Sequence, residues 1–138
     1  MFYGFGAFYD NGTVNNTESF IHQGLAYIGW NKQQSPSYHQ MLSTISVGSI
    51  VFIKSFSPRA GLYIKAIGIV KSDKLVENDL GTAREVKWLF AAKNASEWLW
   101  FGRLDDKMDC VRGCALYIEF HEQVQKAILD KIARFDRK

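Results

Sequence analysis

The sequence predicts an α+β fold, mainly β: a small mixed or antiparallel barrel flanked by short helices, with a longer helix at the C-terminus. Three observations lead there. Aromatic residues make up 14% of the 138 residues, with 10 Phe, 6 Tyr and 4 Trp, and such side chains fit half-buried pleated surfaces. The apolar stretches are short and punctuated by turn signals. No strand–helix–strand alternation repeats, which excludes a doubly wound parallel sheet. The length fits one domain, residues 1–138.

The elements follow in order. "MFYGFGAFY" reads as a strand and "DNG" as a turn. "NNTESFIHQG" reads as a short helix, with Asn16 or Thr17 as cap, Glu18 in the first turn and Gly24 as the stop. "LAYIGW" is a second strand, "NKQQSPS" a polar loop, and "YHQMLSTI" a short helix ended by "SVGS". "IVFIKSF" and "LYIKAIGIVKS" are strands joined by the turn "SPRAG", and "DKLVENDLG" reads as a charged loop. "TAREVKWLFAA" and "EWLWFGRL" read as a hairpin closed by "KNAS". "DDKMDCVRG" is irregular, and "CALYIEF" fits either a strand or a helix start. The last helix, about 121–136, carries Val124, Ile128, Ile132 and Phe135 on one stripe.

Composition excludes several functions. No apolar run reaches the roughly 20 residues that cross a bilayer. The start has neither a basic n-region nor a small-residue cleavage site, so the expectation is a cytoplasmic protein with no membrane partner. Cys110 and Cys114 read as free thiols, because two cysteines and the nearby His121 fall short of the four ligands of a structural zinc. Neither a metal nor another cofactor is expected. P-loop, dinucleotide, zinc-protease and nucleophile-elbow motifs are absent. Asp79 with Glu85-Val86-Lys87 matches the spacing of a metal-dependent nuclease, but a strand with solvated charges explains it as well. Asp105, Asp106 and Asp109 lack the glycine and distal glutamate of a calcium loop. No catalytic residue is assigned.

The net charge is +3. Residues 1–50 hold one basic and two acidic side chains, leaving 16 basic and 12 acidic in the remainder. That asymmetry permits a polyanionic partner.

The run "SVGSIVFIKSFSPRAGLYIKAIGIVKSD" resembles a pattern of PUA-like domains related to the EVE family, which precede the AAA+ motor of McrBC-type restriction proteins. Val47-Gly48-Ser49 stands where the family has V-G-D, with Ser49 replacing the acidic residue. Ile53-Lys54-Ser55 matches I-K-S, and Ile64-Lys65-Ala66-Ile67-Gly68-Ile69-Val70 matches I-K-A-I-G-x-V. "ESFIHQGLAYIGW" and "REVKWLFAAKNASEWLWFGR" resemble the family's upstream and late segments, so that residues 1 to about 112 are covered. The resemblance implies a PUA-like barrel that binds DNA or RNA without enzymatic activity and holds a flipped, often modified base, in a defence or mobile-element setting. On that basis Trp30, Asn31, Ser55, Trp98 and Trp100 are the candidate base pocket. Lys54, Arg59 and Arg103 are the candidate phosphate contacts, with Lys65, Arg84 and Lys87 as extensions.

Two other functions fit the same residues. A protein-interaction subunit or homodimer would use the aromatic surface to dock a partner of a larger system. A small enzyme acting on RNA or nucleotides would need titratable groups converging in a pocket. "SEWLWFGR" poses the question most sharply. Trp98 and Trp100 share one strand face and Leu99 and Phe101 the other, and one of these faces is core: either both tryptophans are packing, or at least one lines a pocket, for which Trp30, at a strand end before a polar loop, is the better single candidate.

Overall fold

The computed structural model describes residues 1–9, 14–29 and 35–136. The strands are β1 (Phe2–Gly6), β2 (Phe8–Tyr9), β3 (Val14–Asn15), β4 (Leu25–Ile28), β5 (Ile50–Ser57), β6 (Gly61–Asn78), β7 (Gly81–Ala91), β8 (Leu99–Gly102) and β9 (Leu116–Ile118). The helices are α1 (Thr17–Gln23), α2 (Pro36–Thr44), the single turn α3 (Asp109–Arg112) and α4 (Glu122–Asp136).

Seven strands form one mixed sheet in the order β4-β7-β6-β5-β1-β9, with β8 also paired to β6. The sheet curls into a half-barrel. β1 runs parallel to β5, and every other pairing in this sheet is antiparallel. β2 and β3 make a separate two-stranded ribbon.

Both faces of the sheet are covered. Val51 and Ile53 of β5 join one core with Phe5, Phe20, Tyr27, Leu42 and Val86. Phe52, between them, joins a second core with Ile64, Ile67, Phe90, Tyr117, Val124 and Ile128. This explains why "IVFI" is a continuous apolar run where a half-solvated strand would alternate. Val124 and Ile128 seat α4 on the second core with Ile132 beside them, as the helical spacing predicts. The Phe135 side chain lies outside the described residues. Gly24 ends α1 in the left-handed conformation, with φ of 68°. α2 begins two residues earlier than the sequence pattern indicates, because Pro36 suits the first helical turn, where no backbone N–H is required.

Two expectations are corrected. The charged stretch 73–78 is strand, the far arm of the 18-residue β6. It pairs with β7 from Leu75↔Arg84 to Asn78↔Gly81, past an irregularity between Val70 and Leu75. Arg84, expected as a surface cation, is the pin of this arm. It is buried and donates to Ser72 O at 2.7 Å, Leu42 O at 2.9 Å and Ile45 O at 2.7 Å, tying α2 to the sheet.

The second correction concerns β8, which does not fold back on β7 as a hairpin. It lies beyond the end of β7 on the same edge of β6, with Leu62↔Gly102, Tyr63↔Trp100 and Ile64↔Leu99. A 3-10 turn at Ala95–Glu97 redirects the chain. Asn94 Oδ1 accepts from Ser96 N at 3.0 Å, and Glu97 Oε1 accepts from Lys93 N at 2.7 Å. Gly61 makes the junction fit. Its φ is +79°, and a Cβ there would sit 1.9 Å from the Gly102 carbonyl carbon.

Candidate functional site

β8 turns Leu99 and Phe101 into the second core and leaves the two tryptophans outside it. This answers the question raised by "SEWLWFGR". Trp100 sits directly across from Tyr63, with ring centroids 4.4 Å apart. Trp98 stacks on the same tyrosine at 4.6 Å and 18°. The two indoles are 5.5 Å apart. The three rings form a compact platform, and Trp100 remains 55% exposed. Cross-strand aromatic pairing stabilises such a platform, and its exposed rings offer a face to a flat ligand.

Cations lie at the same end of the sheet. Arg59 is exposed in the turn between β5 and β6. Arg103 follows β8, and its backbone N would lie 2.4 Å from a Cβ placed on Gly61, two residues from Arg59. The Arg103 guanidinium is paired with Asp105 at 3.1 Å, and both side chains are exposed, so the pair is weak and exchangeable. Trp98 and Trp100 are therefore brought together on Tyr63, while Arg59 and Arg103 share the turn end of β6 through their backbones. Trp30 and Asn31 lie outside the described residues.

Lys54 and Ser55 occupy the middle of β5, away from the turn where the sequence pattern set them. Lys54 is only 3% exposed, and its Nζ donates to Cys114 O at 2.6 Å. As it stands it is no surface phosphate contact, because β1 and the 114–115 segment cover it. Burial pulls its ammonium down to about 8, opposed by Cys114 and reinforced by the like charge of Lys65. The Ser55 hydroxyl is buried and has no hydrogen-bond partner among the described residues.

Lys65 is also interior, 4% exposed, and burial lowers it to about 8. Its Nζ lies 4.1 Å from the Phe8 ring centroid and 5.7 Å from those of Tyr63 and Trp98. Phe8, 41% exposed, thus extends the aromatic surface from the platform toward β2. Lys87 is exposed on β7.

A buried polar cluster fixes the segment leading to β9. Arg112 is fully buried and donates to Glu119 Oε1 at 2.9 Å, Glu119 Oε2 at 2.8 Å, Asp109 Oδ1 at 2.6 Å and both carboxylate oxygens of Asp106. Burial alone would lower the Arg112 guanidinium, but the hydrogen bonds from Glu119, Asp106 and Asp109 carry it above its ordinary value. The Arg112 hydrogen bonds in turn hold Asp106 below the usual carboxylate range. Burial and then the Glu119 charge push the Tyr117 hydroxyl upward. Asp106 and Asp109 therefore serve an arginine.

Among the described residues no group of three or more His, Cys, Asp and Glu side chains is placed to hold a metal. Glu85 and Lys87 stand on β7 and Asp79 in the turn before it, without such a cluster. Cys110 and Cys114 are free thiols. No helix of the described residues is long and apolar enough to cross a membrane.

Sequence reasoning missed Tyr63, Phe8 and the buried character of Lys65. The alternation of Tyr63 and Lys65 along one strand was the available signal. Their partners come from β2 and β8, far away in the chain. No known protein-family model matches the chain, and no curated protein matches it at a significant level.

Proposed function

We propose that this protein is a nucleic-acid-binding module that stacks an unpaired or flipped base on the Tyr63–Trp98–Trp100 platform. The observation that carries the reading is the half-exposed Trp100 on its two supporting rings, with the backbones of Arg59 and Arg103 at the same end of β6. A flipped base gives up a few kcal/mol of stacking. An aromatic platform returns about 1–3 kcal/mol per base. Arginines at the rim hold the phosphates on either side and make affinity depend on salt. Selection of a modified base, in a defence or mobile-element setting, rests on the resemblance of the Ile53–Ser55 and Ile64–Val70 segments to EVE-type domains.

The test is fluorescence anisotropy with matched single- and double-stranded DNA and RNA containing unmodified, 5-methyl- or 5-hydroxymethyl-cytosine. The expected result is binding that weakens as salt rises, favours single strands or duplexes with a weakened pair, and ranks one modified base above the rest. Equal binding of all cytosine forms removes the modified-base element. No binding to any oligonucleotide overturns the proposal, and dimerisation or partner docking through the same rings then becomes the reading of choice.

A further inference from the structure

Three aromatic side chains are exposed among the described residues: Phe8, Trp100 and Phe120. Phe120 lies between β9 and α4. Phe8 and Trp100 stand on different strands, yet the same group of side chains joins them. Lys65 Nζ lies 4.1 Å from the Phe8 ring centroid and 5.7 Å from those of Tyr63 and Trp98. Tyr63 in turn carries Trp100, with ring centroids 4.4 Å apart. The aromatic surface therefore has two exposed rings, one on β2 and one on β8, linked through Tyr63, Trp98 and a covered ammonium.

The register explains how the ammonium comes to lie there. β5 and β6 pair as Ile53↔Ala66 and then Lys54↔Ile64, so Lys65 is the extra residue of a bulge. Bulges re-aim side chains, and this one brings the Lys65 amine against the Phe8 ring. The backbone around Phe8 is held as well. Ala7, fully buried, accepts from Asn16 N at 2.8 Å, and Phe8 pairs with Asn15. With Ala7 inward, Phe8 points outward. An exposed ring on a two-residue strand would otherwise give up rotamer freedom on binding a ligand, which weakens affinity. A cation on its face limits that freedom beforehand. An apolar residue at position 65 would fill the same space without desolvating a charge, so the ammonium points to the ring that it holds.

We propose that Phe8, held by Lys65, is a second stacking position, so that the site takes a single strand presenting two unpaired bases, one on Trp100 and one on Phe8, rather than one base flipped from a duplex. This rests on the base-stacking reading and narrows its ligand. The excess of basic over acidic residues after residue 50 suits a strand that is itself a polyanion. DNA and RNA single strands share this chemistry, and the test includes both.

The probes are ten-unit single strands with a deoxyribose or ribose backbone, labelled for anisotropy and titrated at pH 7. They are abasic throughout, or abasic except for one base, or except for two bases set zero to three units apart. All carry the same number of phosphates, so only the bases differ. At the best spacing the wild type is expected to bind the two-base strand roughly 5- to 150-fold more tightly than the one-base strand, as stacking of one further base gives; having two bases for a single position would give only about twofold, on statistics alone. Phe8→Ala is expected to reduce the advantage to about that statistical factor. Phe8→Leu, which keeps the apolar contact and removes the flat face, is expected to do the same. Lys65→Met keeps the side-chain length and removes the charge; it is expected to lose the advantage with the salt dependence unchanged, and Lys65→Arg to retain it.

A wild type that binds one-base and two-base strands within about twofold of each other overturns the proposal and leaves the Trp100 platform standing. An advantage that survives in Phe8→Leu or in Lys65→Met overturns it too. So does a salt slope that falls by about one in Lys65→Met, which assigns that lysine to a phosphate. One-base and two-base strands that bind no better than the fully abasic strand show instead that the base-stacking reading itself has failed.

Discussion

Replacing Arg112 with Met is predicted to destabilise the fold by about 3–5 kcal/mol, the range for removing one partner of a buried ion pair. The structure says why the upper part of the range applies. Arg112 has no exposure and donates five hydrogen bonds to three carboxylates. Glu119, fully buried, would be left with only Tyr117 Oη at 2.7 Å and His121 N at 3.1 Å as donors. For a domain of this size the loss corresponds to a fall in melting temperature of about 10–15 °C. The assay is urea unfolding at pH 7 with thermal melting alongside. A double variant, Arg112→Met with Glu119→Gln, is predicted to recover part of the loss, since the stranded charge is gone. Arg103→Met, which removes an exposed pair with Asp105, is predicted to change stability by less than about 1 kcal/mol. A loss below about 1 kcal/mol for Arg112→Met would refute the reasoning. So would a double variant no better than the single.

Further outcomes follow from the same contacts. Gly61→Ala is expected to destabilise by at least about 1–3 kcal/mol, because its φ is +79° and the added Cβ meets the β8 backbone; unchanged urea unfolding would contradict that geometry. Lys54 and Lys65 are held at about 8 against an ordinary 10.5. Below pH 8 both folded and unfolded chains carry these protons, and the burial penalty is fully present. Between pH 8 and 10.5 the unfolded chain binds more protons, so stability rises with pH. The gain is about 2 kcal/mol for each lysine by pH 9.5, measured by urea unfolding, and Lys65→Met loses its share. Stability that falls or stays level from pH 7 to 9.5 would contradict the burial of these amines. Asp106 acts in the opposite sense. Its Arg112 hydrogen bonds lower it, so its contribution is present above the ordinary carboxylate value and is lost as pH falls through the depressed one. Asp106→Asn is expected to flatten the acid limb of the stability profile.

Much of the fold was legible because local signals and tertiary packing agree. The terminal helix, the Gly24 stop and the apolar β5 each follow from spacing or capping chemistry that the structure uses as written. The far arm of β6 was illegible because "DKLVEN" is charged and its strand form depends on pairing with β7 and on Arg84 beneath Ser72. The placement of β8 was illegible for a related reason. Adjacent strands usually pair, and only the Asn94 and Glu97 hydrogen bonds show the chain turning away. At the site, the period of two placed Trp98 and Trp100 on one face and Leu99 and Phe101 on the other, but which face is core is decided only by the pairing of β8 with Tyr63 on β6. The buried lysines were not legible, because a lysine in a strand is ordinarily solvated, and only the bulge at Lys65 and the cover over Lys54 reverse this.

The measurement that tests the central claim most directly is intrinsic tryptophan fluorescence during titration with an unmodified single-stranded oligonucleotide, for the wild type and for Trp100→Ala at two salt concentrations. The account predicts quenching on binding, weaker affinity at the higher salt, and a loss of about 1–3 kcal/mol, roughly 5- to 150-fold, in Trp100→Ala with its melting temperature nearly unchanged. Wild-type binding that leaves the fluorescence unaltered and survives intact in Trp100→Ala would contradict the claim that this platform receives a base.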